Sequence, residues 1–318
     1  MKAYLLTLPL YAEQLKQIWL WNEFPYHDIL GGKDTGIDLV AKTIDGDYWA
    51  IQCKCFQPDS YITKPDVDSF LATSSKFFID ENLQRTSFKC RLWISTTNRW
   101  NSEASKIIEH QNPPVMRIGL TDLENAPVNW EKLDEGIAGI LARKPKKILR
   151  EHQIKAITAF NEHFKNANRG RLIMACGTGK TFTALKIAEK ETPPNGLVLF
   201  LVPSIALLRQ TLFDWTAESD TPINAICICS DSEVSKRKND DDDGYSLEDL
   251  ALPASTNVSN IVRQFEHIIL HKKDGMTVVF STYQSIDVIS QAQKQQKTLN
   301  HPCVFDLIIC DEAHRTTG

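Results

Sequence analysis

The stretch Arg171-Leu-Ile-Met-Ala-Cys-Gly-Thr-Gly-Lys-Thr181 decides the fold class of the longer part of this chain. Its apolar start predicts a strand over 171–175, and the residues after the glycines predict a helix over 181–190. Gly177, Thr178 and Gly179 form the curl between them, which turns backbone N–H groups and the helix N-terminus toward an anion. Lys180 then supplies a point charge for the β- and γ-phosphates of a nucleotide, and Thr181 a hydroxyl for Mg²⁺. Met174 or Ala175 stands where a phosphate-binding loop usually has its leading glycine, so the loop alone is an incomplete signature.

Working outward, strands predicted at 197–202, 223–229, 277–282 and 305–310 alternate with helices at 204–217, 257–271 and 284–296. Strands separated by crossover helices imply a mostly parallel sheet. The last strand runs into Ile308-Ile-Cys-Asp-Glu-Ala-His314, where Asp311 is placed to hold Mg²⁺ and Glu312 to orient and deprotonate an attacking water. Residues 230–255 interrupt the alternation with Lys236-Arg237-Lys238 and the acidic run Asp240 to Asp243, a composition that predicts a mobile surface loop.

Composition sets the outer bounds. At 318 residues the chain is long enough for two cores, and 36 Lys and Arg against 40 Asp and Glu exclude a histone-like coat of positive charge. A local basic groove is still compatible with that total. No apolar run is long enough to span a bilayer, and the start lacks a secretory signal, so the expected location is the cytoplasm. Eight cysteines lie mostly in strand-like runs, as small buried hydrophobes in a reducing compartment would.

Before the phosphate loop, residues 1–124 predict a smaller α/β unit: a helix, strands at 37–43 and 48–55, a helix near 65–83, a strand at 88–96, a helix at 101–110 and a strand near 115–120. Residues 125–147, with Pro127 and the run Arg143-Lys-Pro-Lys-Lys147, predict a partly basic linker, and a second domain over 148–318. In the first unit, strands 37–43 and 48–55 meet at Asp45-Gly46-Asp47, a hairpin signal. Gln52 and Lys54 share one face of the second strand, while Ile51, Cys53 and Cys55 share the other. If register sets Asp38 beside them, Asp38 and Gln52 offer oxygen ligands to Mg²⁺, and Lys54 an ammonium that orients water or neutralises developing charge. On these residues alone, a solvated edge-strand lysine is an equal reading.

Two resemblances join these observations. Met174 to Thr181 and Asp311-Glu-Ala-His314 resemble motifs I and II of superfamily 2 helicases and translocases. Leu149-Arg-Glu-His-Gln-Ile-Lys-Ala-Ile157 resembles their adenine-reading Q motif, which implies base contact by Gln153 and support from Arg150. Val202-Pro-Ser204 with Arg209 and Gln210, and Ser281-Thr-Tyr-Gln284, resemble two motifs that contact the DNA backbone. Asp38, Gln52 and Lys54 fall on the D…QxK pattern of the Mrr-type branch of the PD-(D/E)xK nucleases, and Arg91-Leu-Trp-Ile-Ser-Thr-Thr-Asn98 resembles that branch's later core strand. The branch's helix glutamate has only Glu23 as a weak substitute here, in Trp19-Leu-Trp-Asn-Glu-Phe-Pro25, whose aromatic residues suit a core.

The whole is similar to the single-polypeptide, type I-like (type ISP) restriction-modification family. That resemblance implies a restriction-endonuclease-like mixed-sheet domain followed by a RecA-like parallel-sheet P-loop domain. It implies a Mg²⁺- or Mn²⁺-dependent endonuclease coupled to an ATP- and Mg²⁺-dependent motor on double-stranded DNA. A second RecA-like lobe, a methyltransferase using S-adenosylmethionine and a target-recognition domain would follow, or act as separate subunits. The chain stops just after motif II, so weak nucleotide binding without efficient hydrolysis is expected of it. Competing readings are a subunit of a type III-like or Mrr-like restriction system, and a DNA-binding remnant without catalysis.

Overall fold

The computed structural model describes residues 1–32, 36–230, 245–271, 274–298 and 303–313, the side chains of 268–271 and 297–298 excepted. It divides into two compact units: Met1–Lys144 with Tyr245–Pro253, and Pro145–Gly244 with Ala254–Gly318.

The first unit is built on a six-stranded mixed sheet of β1 (Leu15–Leu20), β2 (Leu39–Thr43), β3 (Tyr48–Lys54), β4 (Phe77–Ile79), β5 (Arg85–Ser95) and β6 (Val115–Ile118). The order is β1-β2-β3-β5-β4, and β6 pairs with the second half of β5. The β2–β3 hairpin closes on Gly46 at φ 92°, with the Thr43 hydroxyl accepting the Asp47 N–H. Beyond it β3 runs parallel to β5, with Gln52 opposite Trp93 and Lys54 opposite Ser95. The helix Lys64–Ser74 starts where the Asp66 carboxylate accepts both the N–H and the hydroxyl of Thr63. Phe24, Tyr48, Phe70, Phe78, Phe88 and Trp93 fill the core beneath, and Trp19 and Tyr26 pack against it, as the aromatic composition of 19–26 suggested.

Three expectations change in this unit. The helix read over 65–83 ends at Ser74, because Phe77-Phe-Ile pairs as β4 and Asp80 then accepts the Asn82 and Gln84 N–H groups in a tight turn. Leu15–Leu20 is a strand rather than helix, held by antiparallel pairing to β2. Residues 125–144 are not a linker, since Val128 and Ala142 are fully buried, Trp130 stacks on Tyr4 at 5.4 Å, and Lys144 donates to the Pro127 and Ala126 carbonyls.

A fourth change concerns 230–255. The charged runs at 236–238 and 240–243 lie outside the described residues, but the end of the segment is no surface loop. Leu250, Ala251 and Leu252 are buried, and the Tyr11 hydroxyl donates to the Ala251 carbonyl. The Arg117 guanidinium on β6 binds both oxygens of Asp249. A bidentate pair and three apolar side chains give this short segment enough burial to be ordered against β6.

The second unit has a parallel four-stranded sheet, ordered β10 (Leu307–Cys310), β7 (Leu197–Val202), β9 (Met276–Thr282), β8 (Ile223–Ile228). All six residues of β7 and all seven of β9 are buried, as central parallel strands covered on both faces should be. The strand expected at 171–175 is absent from the sheet. Its apolar residues have no buried slot: Ile173 is 83% exposed, and Ile308 on the edge strand β10 is itself 55% exposed.

Candidate active sites

At one end of the first unit's sheet, every polar backbone group of Asp38 is engaged. Its N–H donates to Ile51 at 2.9 Å, and its carbonyl accepts the Trp21 N–H at 2.8 Å. One carboxylate oxygen, Oδ2, accepts the Cys53 N–H at 2.7 Å and the Gln52 Nε2 at 2.6 Å. Gly36, two residues earlier, explains how the chain enters here. It has φ +76°, and a Cβ at this position would lie 2.6 Å from Ser69 Oγ and 2.7 Å from Phe70 N. Only glycine lets the backbone approach the helix Lys64–Ser74 so closely.

Gln52 is 3% exposed, and its Oε1 has no hydrogen-bond partner among the described residues. A buried acceptor left in that state costs free energy unless something binds it. Asp38 Oδ1 and Gln52 Oε1, once the amide turns, are therefore a fitting oxygen pair for a hard divalent cation. Among the described residues no cluster of three or more His, Cys, Asp or Glu side chains is placed to hold a metal, so a cation here would rest on one carboxylate and one carboxamide. Burial, with the Asp38 charge adding, pushes the Cys53 thiol up to about 12, which keeps it protonated and out of the ligand set.

Lys54 is exposed, two residues beyond Gln52 on the same face and roughly 7 Å along the strand. The face is not the polar one that alternation suggested: Tyr48 and Ala50 on it belong to the aromatic core, while Ile51 on the other face is also buried. The sheet is covered on both sides there, and polarity begins only at its end. Glu23 is occupied elsewhere, since its carboxylate accepts from Lys2 and from the Leu20 N–H, both at 3.0 Å. These two bonds hold it below the usual carboxylate range, the backbone bond first.

In the second unit the phosphate loop enters the helix Lys180–Glu191 through Gly177 at φ 73° and Gly179 at φ 82°. The space beside Gly177 is open, whereas a Cβ on Gly179 would strike Gln153 Nε2 at 2.5 Å. Gln153 is buried and fully engaged: Oε1 accepts the Arg150 N–H at 2.9 Å, and Nε2 donates to the Thr178 carbonyl at 3.2 Å and the Gly179 carbonyl at 3.4 Å. His152 also meets the Thr178 carbonyl, at 3.0 Å, a contact that no sequence motif announced.

Lys180 and Glu312 come together, Nζ to Oε1 at 2.7 Å. That bond holds the ammonium above its ordinary range. Asp311 closes β10, its N–H on the Leu201 carbonyl and its Oδ1 accepting the Glu312 N–H, and burial pushes its carboxyl up. Thr181 sits in the first turn of the helix, its carbonyl accepting from Trp215. The Tyr283 hydroxyl donates to the Asp311 carbonyl at 2.7 Å, while Ser281 and Thr282 are buried with hydroxyls bonded internally. The Ser281–Gln284 motif thus ties β9 to β10 in this arrangement. Ser204 caps the helix Ile205–Glu218 through the Leu207 N–H, and Arg209 lies over the Phe213 ring.

Two family profiles match the chain: "Restriction endonuclease" over residues 7–139, and "Type III restriction enzyme, res subunit" over 146–318, more than half of the chain. The chain belongs to the type III restriction enzyme res-subunit family. It thus pairs an Mrr-like nuclease domain with a superfamily 2 helicase domain, the combination of type I/III-like and type ISP restriction enzymes. The solved structure of "ATP-dependent Type ISP restriction-modification enzyme LlaBIII bound to DNA" superposes with a TM-score of 0.80 at 35% identity, over 99% of this chain and 19% of that one. A probable helicase, A859L, of African swine fever virus is 28% identical over 169 residues, 53% of this chain and 16% of that protein. The chain therefore spans less than a fifth of either relative. Its family implies a Mg²⁺-dependent nuclease and an ATP-dependent motor. Among the described residues no helix is long and apolar enough to cross a membrane.

Proposed function

We propose that this chain contributes the DNA-cutting centre and the nucleotide-binding lobe of a restriction enzyme that moves along double-stranded DNA by ATP hydrolysis. The observation that carries the nuclease half is the Asp38 carboxylate, oriented through Oδ2 by the Cys53 N–H and Gln52 Nε2, beside a buried Gln52 Oε1 that has no partner among the described residues. A Mg²⁺ or Mn²⁺ ion held by Asp38 and Gln52 would polarise the scissile phosphate and acidify a bound water. Asp38, fixed through its own backbone and by Cys53, orients the site. Lys54, exposed and without an ion-pair partner among the described residues, offsets charge on the phosphate or aligns the water. Incubation of supercoiled plasmid with Mn²⁺ tests this: nicking should appear and vanish in Asp38→Ala and Lys54→Ala, and intact plasmid at high protein would refute it.

In the nucleotide lobe Gly177, Thr178 and Gly179 would receive the β-phosphate, and Thr181 with Asp311 would hold Mg²⁺. Lys180 must leave Glu312 to meet the phosphates, which frees Glu312 to orient a water; the same exchange therefore loads the nucleotide and arms the base. For Gln153 to read adenine, and Arg150 to support it, Gln153 would have to exchange its loop contacts for the base. A second RecA-like lobe is the partner such hydrolysis requires. A purely DNA-binding role through the basic run is less well supported, because Lys146 bonds the Ser219 carbonyl and lies 3.5 Å from Asp220, while Lys147 meets Asp214 and Glu218.

A further inference from the structure

The loops that leave the ends of β3 and β5 hold an exposed cation in a fixed place. Arg99 lies with its guanidinium carbon 5.7 Å from the ring centroid of Tyr61, and Tyr61 is 57% exposed. Arg99 makes one side-chain hydrogen bond among the described residues, Nη1 to the Asp59 carbonyl at 3.3 Å, and no ion pair. Most of its five donors thus have no protein partner among the described residues, and the side chain is exposed.

The backbone beneath the pair is closely tied. The Thr97 side chain is fully buried, its hydroxyl lying 3.0 Å from the Pro58 carbonyl and 2.9 Å from that of Ser60 and accepting the Arg99 N–H at 3.1 Å. Ile62 donates to the Arg99 carbonyl at 2.8 Å and accepts the Asn101 N–H at 3.0 Å, so the backbones carrying Tyr61 and Arg99 pair directly. Phe56 and Thr96 exchange two further bonds, and the Thr96 N–H meets the Lys54 carbonyl at 3.2 Å. These contacts put the Tyr61–Arg99 pair at the sheet end that carries Asp38, Gln52 and Lys54.

We propose that Arg99, propped on Tyr61, is a phosphate-binding subsite that grips the DNA backbone beside the phosphate to be cut. A guanidinium stacked on an aromatic ring and lacking a carboxylate partner is preorganised for a phosphate oxygen, with little side-chain freedom left to lose on binding. Such a contact positions the duplex without reading its sequence. The assignment of the ligand as DNA rests on the nuclease reading of that sheet end.

Arg85 provides an internal control. It too is exposed and lies over a half-exposed ring, that of Phe77 at 4.0 Å, but it opens β5, ten residues and roughly 33 Å from Ser95. The test is binding of a short fluorescent DNA duplex to the full chain in Ca²⁺ across a salt series, with thermal melts to verify folding. Arg99→Ala and Arg99→Gln should weaken binding about threefold to tenfold and lower the slope of log affinity against log salt by about 1. Arg99→Lys should keep the slope, Tyr61→Ala should lose affinity with a smaller change in slope, and Arg85→Ala should match the parent. An unchanged slope in folded Arg99→Gln overturns the proposal, and so does an equal loss in Arg85→Ala. Plasmid nicking by the same proteins is read separately: a parent that never nicks DNA removes the nuclease reading, while the salt slopes still decide Arg99.

Discussion

Gln52 donates its side-chain amide to Asp38 at 2.6 Å, on the same carboxylate oxygen that takes the Cys53 N–H. The amide thus orients the acid, while its own oxygen is buried without a partner among the described residues. Gln52→Ala should remove Mn²⁺ binding at this site and reduce plasmid nicking at least about a hundredfold, while costing about 1 to 3 kcal/mol of stability for the lost buried bond. Titration of Mn²⁺ followed by its paramagnetic resonance signal, alongside urea unfolding, measures both.

Gly36 carries the approach to Asp38. Gly36→Ala forces a Cβ to within 2.6 Å of Ser69 Oγ at φ +76°, so the turn must move. The expected cost is about 2 to 3 kcal/mol, with nicking lost even where the protein remains folded. Equilibrium unfolding with unchanged stability would show that the chain enters the site by another route.

The Lys180–Glu312 pair should matter for nucleotide and little for stability. Its side chains are 33% and 24% exposed, so the ion pair contributes under about 1 kcal/mol. Because the folded-state pKa of Lys180 is raised, that contribution is complete below the ordinary lysine pKa and fades only as pH climbs through the raised value. Lys180→Ala should therefore melt like the parent from about pH 7 to 9 while losing fluorescent-nucleotide binding.

Asp311 should make Mg²⁺-nucleotide binding sensitive to mild acid. Burial raises its carboxyl pKa, so protonation begins at a higher pH than for an ordinary aspartate, and a protonated acid is a poor Mg²⁺ ligand. Nucleotide affinity in Mg²⁺ is expected to fall on acidification, and in Asp311→Asn to be weak and free of that dependence. Calorimetry over a pH series distinguishes the two curves.

Arg117 anchors Tyr245–Pro253. Its side chain is 20% exposed and that of Asp249 14%, so removing one partner leaves a largely buried charge. Arg117→Ala should destabilise the first unit by about 3 kcal/mol and speed amide exchange across 246–252. Exchange at the parental rate would mean that Leu250 and Leu252 hold the segment by themselves.

Much of this was readable where function and local backbone chemistry coincide. Asp45-Gly46-Asp47 gave the hairpin, and the register it sets puts Asp38 on Gln52; Gly177 and Gly179 marked the loop that carries Lys180. What escaped was decided by distant partners. Leu15–Leu20 has no alternation of its own and is a strand because β2 lies beside it. The linker reading of 125–144 followed Pro127 and the lysines, yet Val128 pairs with Arg143 and Tyr4 stacks on Trp130. Composition made 245–253 a loop, whereas a bond from Tyr11, 240 residues away, makes it part of a core. The strand at 171–175 failed for the converse reason, since its apolar residues meet no covering layer among the described residues.

The membership of Tyr245–Pro253 in the first unit has a consequence for inheritance and for engineering. A gene piece ending near codon 144 would encode the first unit without the Ala251 carbonyl that Tyr11 donates to and without the Asp249 carboxylate that pairs with Arg117. Recombination that swaps such modules between relatives must carry both stretches of coding sequence or accept a mismatched plug, so the boundary between the first unit and the second is harder to shuffle than the order of its parts suggests.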